Sequence, residues 1–209
     1  LASYHISGDD VGFILSGNYD NSLPLVVECA RGVIANSSSS IDNFEWSSYY
    51  GGNIDDYRTR ITTSSIGNCY MTGTTGSTNF PVTPGAIQTL LNFDEDCFIV
   101  KFSSIGNPNT HTNVLWATYY GGSGLESPAG IALNNTEEYI YIVGNTWAGN
   151  NGGIPTFTSS SGGNFNYPPI QTNFDDGFVL KLNDDGNQIL WCSTIGGTEV
   201  DRAYAITVD

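Results

Sequence analysis

A short motif that occurs three times constrains this chain more than any other feature of its sequence. It reads WSSYYGG at 46–52, WATYYGG at 116–122 and WCSTIGG at 191–197. Repetition at a long and nearly constant period is typical of proteins built from stacked structural units. In such proteins each unit buries its apolar surface against its neighbours, so the chain must form several similar layers.

The three copies align without a gap when their tryptophans are placed in register. Each copy contains a tryptophan, a pair of glycines, an acidic residue four positions after the second glycine, and a closing isoleucine. The tryptophans are Trp46, Trp116 and Trp191; the glycines are Gly51, Gly52, Gly121, Gly122, Gly196 and Gly197; the acids are Asp56, Glu126 and Asp201. We predict that the tryptophan fills space between neighbouring sheets and that the glycines form the crossover between units. Glycine suits a crossover because it tolerates positive φ angles and close approach of other backbone segments.

Other motifs recur between these copies and predict the strands of each unit. CYMTGTT at 69–75 corresponds to IYIVGNT at 140–146, and NFDEDCFIVKF at 92–102 corresponds to NFDDGFVLKL at 173–182. Their short apolar runs favour buried strands. For the best-preserved unit we predict strands at 129–134, 139–146, 177–183 and 188–195. We assign almost no helix, because no segment combines an apolar period of about 3.6 residues with helix caps.

Four-stranded antiparallel units repeated along a chain predict an all-β fold, the β-propeller, whose blades pack face to face around an axis. We divide the chain into a degenerate first blade at 1–52, a second at 53–122, a third at 123–197 and the start of a further blade at 198–209. The segment AYAITVD, at 203–209, is the expected first strand of that further blade. Because about four or more blades are needed to close a ring, we expect the chain to be part of a larger propeller.

The motifs WATYYGGSGLE, YIVGNT, NFPVTPGAIQT and CFIVKFSSIGN resemble the SBBP-type bacterial β-propeller repeat. The resemblance covers residues 46–209 closely and 1–45 loosely, and the first unit departs from the pattern at the DxFxxK motif. It implies a propeller fold and an extracellular location. Such repeats occur in large secreted and cell-surface proteins, notably those that Bacteroidota export by type IX secretion and that carry gliding-motility-associated C-terminal regions. The family has no single set of catalytic residues, so the resemblance implies no active-site roles.

The charge of the chain disfavours several kinds of partner. Six Lys and Arg residues oppose 21 Asp and Glu residues, which gives a net charge of −15. Phosphate backbones and anionic membrane surfaces repel such a chain, so we expect no nucleic acid partner. We also expect no membrane insertion, because the sequence has no run of about 18 apolar residues.

The cysteines show no metal-binding pattern. They form no CxxC or Cys/His cluster of the kind that binds zinc, and their positions are Cys29, Cys69, Cys97 and Cys192. Cys97 aligns with Gly177 and Cys192 aligns with Ala117, so they occupy non-equivalent positions of the repeat. We predict that the cysteines are mostly free and buried as small apolar residues. A disulfide between Cys69 and Cys97 is the one pairing left open.

The sequence contains no recognisable catalytic constellation. Its two histidines, His5 and His111, occupy unrelated positions, and no GxSxG, Asp-box or phosphate-binding glycine motif is present. Acids precede the third strand of two units, at 94–96 and at 175–176. Carboxylate pairs can hydrolyse glycosides, but recurrence with the repeat favours a structural role at a turn. We predict that the protein is not an enzyme.

The repeat is interrupted by a long insertion that is the best candidate for ligand binding. The segment TWAGNNGGIPTFTSSSGGNFNYPP, at 146–169, is rich in glycine and asparagine. Long loops in compact domains are often functional, and aromatic side chains beside amides suit a sugar ring or a protein partner. The predicted ligand-binding residues are Trp147, Asn150, Asn151, Phe165 and Tyr167. The alternative is that Trp147 packs onto its own blade.

The acids of the repeated motif allow two interpretations. At a crossover, the carboxylates of Asp56, Glu126 and Asp201 can accept hydrogen bonds from loop N–H groups that lack strand partners. The weaker alternative is calcium binding, which requires about six to eight oxygen ligands, and the neighbouring apolar residues supply few. We favour hydrogen bonding and expect no cofactor.

Together these observations predict a non-enzymatic β-propeller segment of a secreted bacterial cell-surface protein. We expect a scaffold or an adhesion and ligand-binding module, whose partner is a protein or glycan at the cell surface or another part of its own large chain. The alternative is a propeller hydrolase or lyase that acts on polysaccharide. A cluster of carboxylates with a histidine or a metal near the propeller axis would favour that alternative.

Overall fold

The computed structural model describes residues 2–7, 10–15, 48–92, 94–104, 113–147 and 175–209. The chain forms two compact units, Leu1–Tyr49 and Tyr50–Asp209. In the first unit, the described strands form a hairpin in which β1 (Ala2–Ser7) pairs antiparallel with β2 (Asp10–Leu15). Most of the remainder of the predicted first blade, with Cys29 and Trp46, lies outside the described residues.

The second unit contains two antiparallel sheets of four strands, and consecutive strands are neighbours in both. The first sheet consists of β3 (Asp56–Thr63), β4 (Cys69–Thr75), β5 (Asp96–Phe102) and β6 (Val114–Tyr120). The second sheet consists of β7 (Leu125–Leu133), β8 (Tyr139–Trp147), β9 (Asp175–Asn183) and β10 (Ile189–Ile195). The described part of the chain is all-β, and it includes no helix of the length and apolarity that crossing a membrane requires.

The two sheets confirm the predicted four-stranded antiparallel units. The strands predicted at 139–146 and 177–183 lie within β8 and β9, and the strand predicted at 188–195 differs from β10 by one residue. The strand predicted at 129–134 instead begins at Leu125 as β7. It starts earlier because its first residues also pair with β8, on the far side of a register shift between Pro128 and Gly130.

The central strand pair of each sheet places a glycine opposite a phenylalanine. Gly73 of β4 lies opposite Phe98 of β5, and Gly144 of β8 lies opposite Phe178 of β9. An added Cβ atom would lie 2.5 Å from Phe98 Cζ at the first glycine and 2.6 Å from Phe178 Cε1 at the second. The glycine therefore makes room for the aromatic ring, and the ring covers the backbone that the glycine leaves bare.

The main apolar core lies between the two sheets. Strand β7 packs against β3, β4 and β5. The ring of Tyr120, at the end of the first sheet, lies 6.1 Å from the ring of Phe178 in the second. Trp116 lies within this core, whereas Trp191 is half-buried and contacts Tyr141 at 6.3 Å. The buried residues of the core are Tyr70, Cys97, Ile99, Trp116, Tyr120, Ile131, Ile140, Ile142, Phe178, Leu180, Leu182 and Ile189.

The edge of the first sheet at β6 is covered by the segment that connects β4 to β5. Thr83 N–H donates to Ala117 O at 3.1 Å, and Ala117 N–H donates to Thr83 Oγ1 at 3.0 Å. Tyr119 N–H donates to Gln88 O at 3.1 Å. These bonds satisfy backbone groups that an open edge strand would present to other chains.

The first glycine of each repeated pair provides space and does not have a positive φ, which corrects our prediction of positive φ at these glycines. The described glycines with positive φ are Gly67, Gly85 and Gly186, none of which belongs to a pair. An added Cβ would lie 2.2 Å from Asp96 Oδ1 at Gly121, and 2.0 Å from Asp176 Oδ1 at Gly196. In these two pairs the first glycine therefore makes room for a buried carboxylate.

Residues 203–209 do not form the predicted first strand of a further blade. A strand requires a neighbouring strand that completes its ladder of backbone hydrogen bonds. Here the hydrogen bonds to the second sheet are isolated: Asp201 N–H donates to Asp175 O at 2.8 Å, and Ala203 N–H donates to Asn145 Oδ1 at 2.9 Å. The segment therefore lies along the second sheet without belonging to a sheet itself.

The described cysteines, Cys69, Cys97 and Cys192, are free thiols. The disulfide left open between Cys69 and Cys97 is absent, because Cys69 lies opposite Phe102 whereas Cys97 lies opposite Thr74. The two cysteines are thus five positions apart along this strand pair. That offset corresponds to about 16 Å, and bridged Cα atoms are usually less than about 7 Å apart.

Thiol titration of denatured, unreduced protein is expected to find all four cysteines of the sequence free. The native protein should react slowly at Cys97 and Cys192, because burial raises the pKa of both thiols, to about 11 for Cys192. A titration that finds two thiols in the denatured protein would contradict the prediction.

Candidate functional site

The connection between the two sheets is closed by a hydrogen bond between a glycine pair and the acid that follows it. Gly122 N–H donates to Glu126 Oε2 at 2.9 Å. We call this arrangement the glycine–acid turn, in which a carboxylate accepts an N–H group that has no strand partner. It also occurs before the first sheet and after the second, where the bonds are Gly52 N–H to Asp56 Oδ2 at 2.7 Å and Gly197 N–H to Asp201 Oδ2 at 2.6 Å.

The glycine–acid turn between the sheets differs from the one that follows the second sheet because its acid is buried. Glu126 is 0% exposed, whereas Asp201 is exposed. Glu126 Oε1 accepts a hydrogen bond from the Thr146 hydroxyl at 2.8 Å. Asp96, which begins β5, is also 0% exposed. Asp96 Oδ1 and Glu126 Oε2 lie 2.2 Å and 2.6 Å from the position of an added Gly121 Cβ, so the two carboxyl groups are direct neighbours.

The second oxygen of Asp96 is held by the segment that covers the β6 edge. Asp96 Oδ2 accepts hydrogen bonds from Gln88 Nε2 at 2.6 Å and from Asn92 N–H at 2.9 Å. Gln88 Oε1 in turn accepts the Gly121 N–H at 2.9 Å. Sequence reasoning missed Gln88, although a signal exists: the tripeptide IQT at 87–89 recurs at 170–172, which lies outside the described residues.

Burial dominates the electrostatics of this carboxyl pair. It raises the pKa of Glu126 to about 7, and the adjacent charge of Asp96 acts in the same direction. The hydrogen bonds from Gly122 and Thr146 oppose this shift, because they stabilise the ionised form. Burial also raises the pKa of Asp96. Both groups therefore favour the protonated state more than exposed carboxyl groups do.

A second polar contact between the sheets is centred on the turn that joins β9 to β10. Asp184 accepts a hydrogen bond from the Tyr70 hydroxyl at 2.6 Å and forms a salt bridge with Lys101 at 2.5 Å. Its backbone oxygen accepts the Trp116 Nε1–H at 2.8 Å. Burial and the contact with Asp184 raise the pKa of Tyr70, so its hydroxyl remains a donor. This turn fastens the second sheet to β4, β5 and β6.

A groove of about 380 Å³ lies beside this contact, lined by the loop at 83–86, by Leu115 and Trp116, and by the turn at 184–187. Trp116 is only 9% exposed. Gly186, which has a φ of +65°, lies against its indole so closely that an added Cβ would be 2.2 Å from the ring. The groove therefore lacks the open aromatic face on which a sugar ring would stack.

The predicted ligand-binding residues fall only partly within the described structure. Trp147 is the last residue of β8, lies opposite Leu125 and Asp175, and is 43% exposed. It thus presents part of its ring to solvent where the long insertion begins. The other predicted residues, Asn150, Asn151, Phe165 and Tyr167, lie outside the described residues.

The alternative role of the repeated acids, calcium binding, would require several oxygen ligands around one ion, whereas each acid lies in a different turn. Across the described ranges, no three His, Cys, Asp or Glu side chains come close enough together to hold a metal ion. Asp56, Glu126 and Asp201 each accept a hydrogen bond from a glycine N–H group through one carboxylate oxygen. The geometry therefore accounts for these acids as acceptors within turns.

Comparison with known proteins adds no relative to these observations. No family model matches the chain, and neither the curated proteins nor the solved structures include a match.

Proposed function

We propose that this chain is a non-enzymatic β-propeller segment of a secreted bacterial cell-surface protein, where it acts as a scaffold and as an adhesion or ligand-binding module. The observation that carries the proposal is that two glycine–acid turns dock the following chain on a four-stranded sheet in the same way. Glu126 N–H donates to Glu95 O at 3.1 Å, and Asp201 N–H donates to Asp175 O at 2.8 Å. Glu95 and Asp175 occupy equivalent positions, because each directly precedes an aspartate that lies opposite a threonine of the second strand: Asp96 opposite Thr75, and Asp176 opposite Thr146.

The docked segments support a repeating stack of sheets. Strand β7, which follows Glu126, lies against the first sheet. The segment after Asp201 lies against the second sheet, where an added Cβ at Gly130 would come within 3.1 Å of Ile206 N. A chain that places each new segment on the previous sheet in one geometry builds a regular array, as propeller blades do.

The residue before each glycine pair also supports this stacking. Tyr50 packs at 5.4 Å against the ring of Phe102 in the first sheet, and at 5.3 Å against the ring of Phe80 in the segment that connects β4 to β5. Tyr120 packs against Phe178 of the second sheet. Ile195, at the same position of the third copy, is 60% exposed. We infer that a further sheet of the propeller would cover Ile195 as the first and second sheets cover the two tyrosines.

The proposed location and partners rest on composition and on the resemblance to SBBP-type repeats. A chain with a net charge of −15 and few charged residues suits a glycan-rich, aqueous surface better than nucleic acid. Its partner is a protein or glycan at the cell surface, or another part of its own chain. The exposed edge of Trp147 is the described part of the proposed contact.

The rival function, cleavage of polysaccharide by a hydrolase or lyase reaction, is less well supported. The carboxyl groups that lie together, Asp96 and Glu126, are both 0% exposed and are covered by Gly121. A glycosidase needs its acid and its nucleophile or base on either side of an accessible glycosidic bond. A substrate has no access to this pair without separation of the sheets.

Binding to bacterial surface polysaccharides tests the proposal directly. Immobilised polysaccharides or a glycan array should retain the chain. Trp147→Ala should weaken that binding by up to about tenfold, since aromatic stacking contributes about 0.5–1.5 kcal/mol. Tyr204→Ala is the matched control, because it removes an aromatic side chain that is 75% exposed and belongs neither to β8 nor to the insertion that follows it. Release of reducing or unsaturated sugars from the same polysaccharides would favour the rival function. Equal binding by both variants would contradict the role assigned to Trp147.

A further inference from the structure

The buried carboxyl groups of Asp96 and Glu126 lie side by side between the sheets, and a proton held between them would explain how they can be in contact. Asp96 Oδ1 is buried and has no hydrogen-bond donor among the described residues. Glu126 Oε2, which lies beside Gly121 together with Asp96 Oδ1, is itself an acceptor for Gly122 N–H. Two ionised carboxylates in contact repel each other, whereas a protonated carboxyl group can donate a hydrogen bond to an ionised one. Buried polar atoms in folded proteins are nearly always paired.

Among the residues that the structure describes, the groups around the pair supply no compensating positive charge. The titratable groups that face it are Cys97 of β5, Tyr119 and Tyr120 of β6, and Cys192 of β10. All four are acids that are neutral near pH 7, and burial raises the pKa of each one further. The lysines and arginines in the described part of the chain contact other groups: Arg58 contacts Ser127, Arg60 contacts Ala129, Lys101 contacts Asp184, Lys181 contacts Tyr139, and Arg202 contacts Asp175.

We propose that Asp96 and Glu126 share one proton between Oδ1 and Oε2, and that this proton holds β7 of the second sheet to β5 of the first. Asp96 Oδ2 already accepts two N–H groups, which stabilises Asp96 as the ionised partner. Glu126 is then the donor. Loss of the proton places two negative charges in contact inside the core, so the connection between the sheets becomes less stable as the pH rises.

The direction of the pH dependence follows from the pKa of Glu126, which is raised in the folded protein from 4.5 to about 7. A carboxyl group with a raised pKa binds its proton more tightly in the folded state than in the unfolded state. Its contribution to stability is therefore fully present below about pH 4.5 and is lost as the pH rises through about 7. Ordinary surface carboxylates with lowered pKa values act in the opposite direction.

Thermal unfolding of the full chain at about pH 5 and about pH 8.5 tests the proposal. For each protein, the measured quantity is the melting temperature at about pH 5 minus the melting temperature at about pH 8.5. This difference should be larger in the wild type than in Glu126→Gln by roughly 5–10 °C. Glutamine keeps the shape of the side chain and offers an N–H to Asp96 Oδ1 at every pH. Its amide nitrogen no longer accepts the Gly122 N–H, which lowers the stability of the variant at both pH values alike and leaves the pH comparison intact. Asp96→Asn should likewise abolish the part of the pH dependence that is due to the shared proton, because the asparagine amide donates a hydrogen bond to Glu126 at both pH values. Asp201→Asn is the matched control: it removes an acid at the same repeat position, but one that is exposed, and should retain the difference.

Three results would overturn the proposal. The first is a pH dependence that is the same in the wild type, Glu126→Gln and Asp96→Asn. The second is an increase in melting temperature on addition of calcium at about pH 8.5 that Glu126→Gln abolishes, which would assign a cation and not a proton to the pair. The third is the absence, in infrared spectra of the wild type at about pH 6, of a protonated-carboxyl band that Glu126→Gln removes.

Discussion

Replacing Phe178 by alanine is expected to lower the free energy of unfolding by about 3–5 kcal/mol, the range typical of buried phenylalanine truncations. Phe178 is 0% exposed, covers Gly144 within its own sheet, and contacts Tyr120 of the other sheet. Its loss would leave a cavity, uncover the Gly144 backbone and weaken the contact between the sheets. The melting temperature should fall by roughly 6–20 °C in a chain of this size.

Two further variants make this measurement specific. Leu90→Ala removes a side chain that is 68% exposed and should change the free energy of unfolding by less than about 0.5 kcal/mol. Phe178→Leu keeps most of the buried volume and should cost less than Phe178→Ala. A loss below about 1 kcal/mol in Phe178→Ala would show that the core between the sheets is not packed as described.

Replacing Gly121 by alanine is expected to lower the free energy of unfolding by about 3 kcal/mol, and the melting temperature by roughly 6–12 °C. The new Cβ would lie 2.4 Å from Asp96 Cγ and 2.6 Å from Glu126 Oε2. Asp96 has too short a side chain to move aside without breaking its hydrogen bonds to Gln88 and Asn92. The substitution therefore either strains the turn or leaves buried carboxylate oxygens without donors.

Gly76→Ala is the matched control for this substitution. An added Cβ at Gly76 would lie 3.4 Å from Asp94 O and 3.4 Å from Ile54 Cγ2, which are ordinary contacts. Equilibrium unfolding by urea should therefore show a much smaller loss for Gly76→Ala than for Gly121→Ala. Equal losses in the two variants would mean that glycine is needed at both positions for backbone freedom rather than for space.

The local features of this fold could be predicted because they depend on residues close together in sequence. The glycine–acid turn joins residues four positions apart, so its spacing is visible wherever the motif recurs, as in Gly122 and Glu126. The strands of the second sheet were predictable for a similar reason, because short apolar runs between turn-forming residues favour strands. Antiparallel pairing of consecutive strands then follows from the short connections.

Two predictions were wrong, each for a different reason. The prediction about the glycine pairs was wrong because glycine serves two physical purposes. Glycine provides both positive φ and the absence of a Cβ atom, and the sequence does not distinguish these purposes at Gly121 and Gly196. The structure shows that space for a carboxylate is the reason. The segment at 203–209 has the composition of a strand, but a strand exists only with a partner that completes its ladder.

The repeat, the all-β class, the two four-stranded units and the acids that close their turns could all be predicted from the order of the residues alone. The contacts between side chains of distant segments became visible only in the folded chain: Phe178 with Gly144, Asp184 with Lys101, and Asp96 with Glu126. Strand register and sheet packing set these contacts. A change of one residue in register would turn each side chain to the opposite face of its sheet. The buried carboxyl pair therefore exists only when the two sheets are in contact, because packing of the sheets removes both carboxyl groups from solvent.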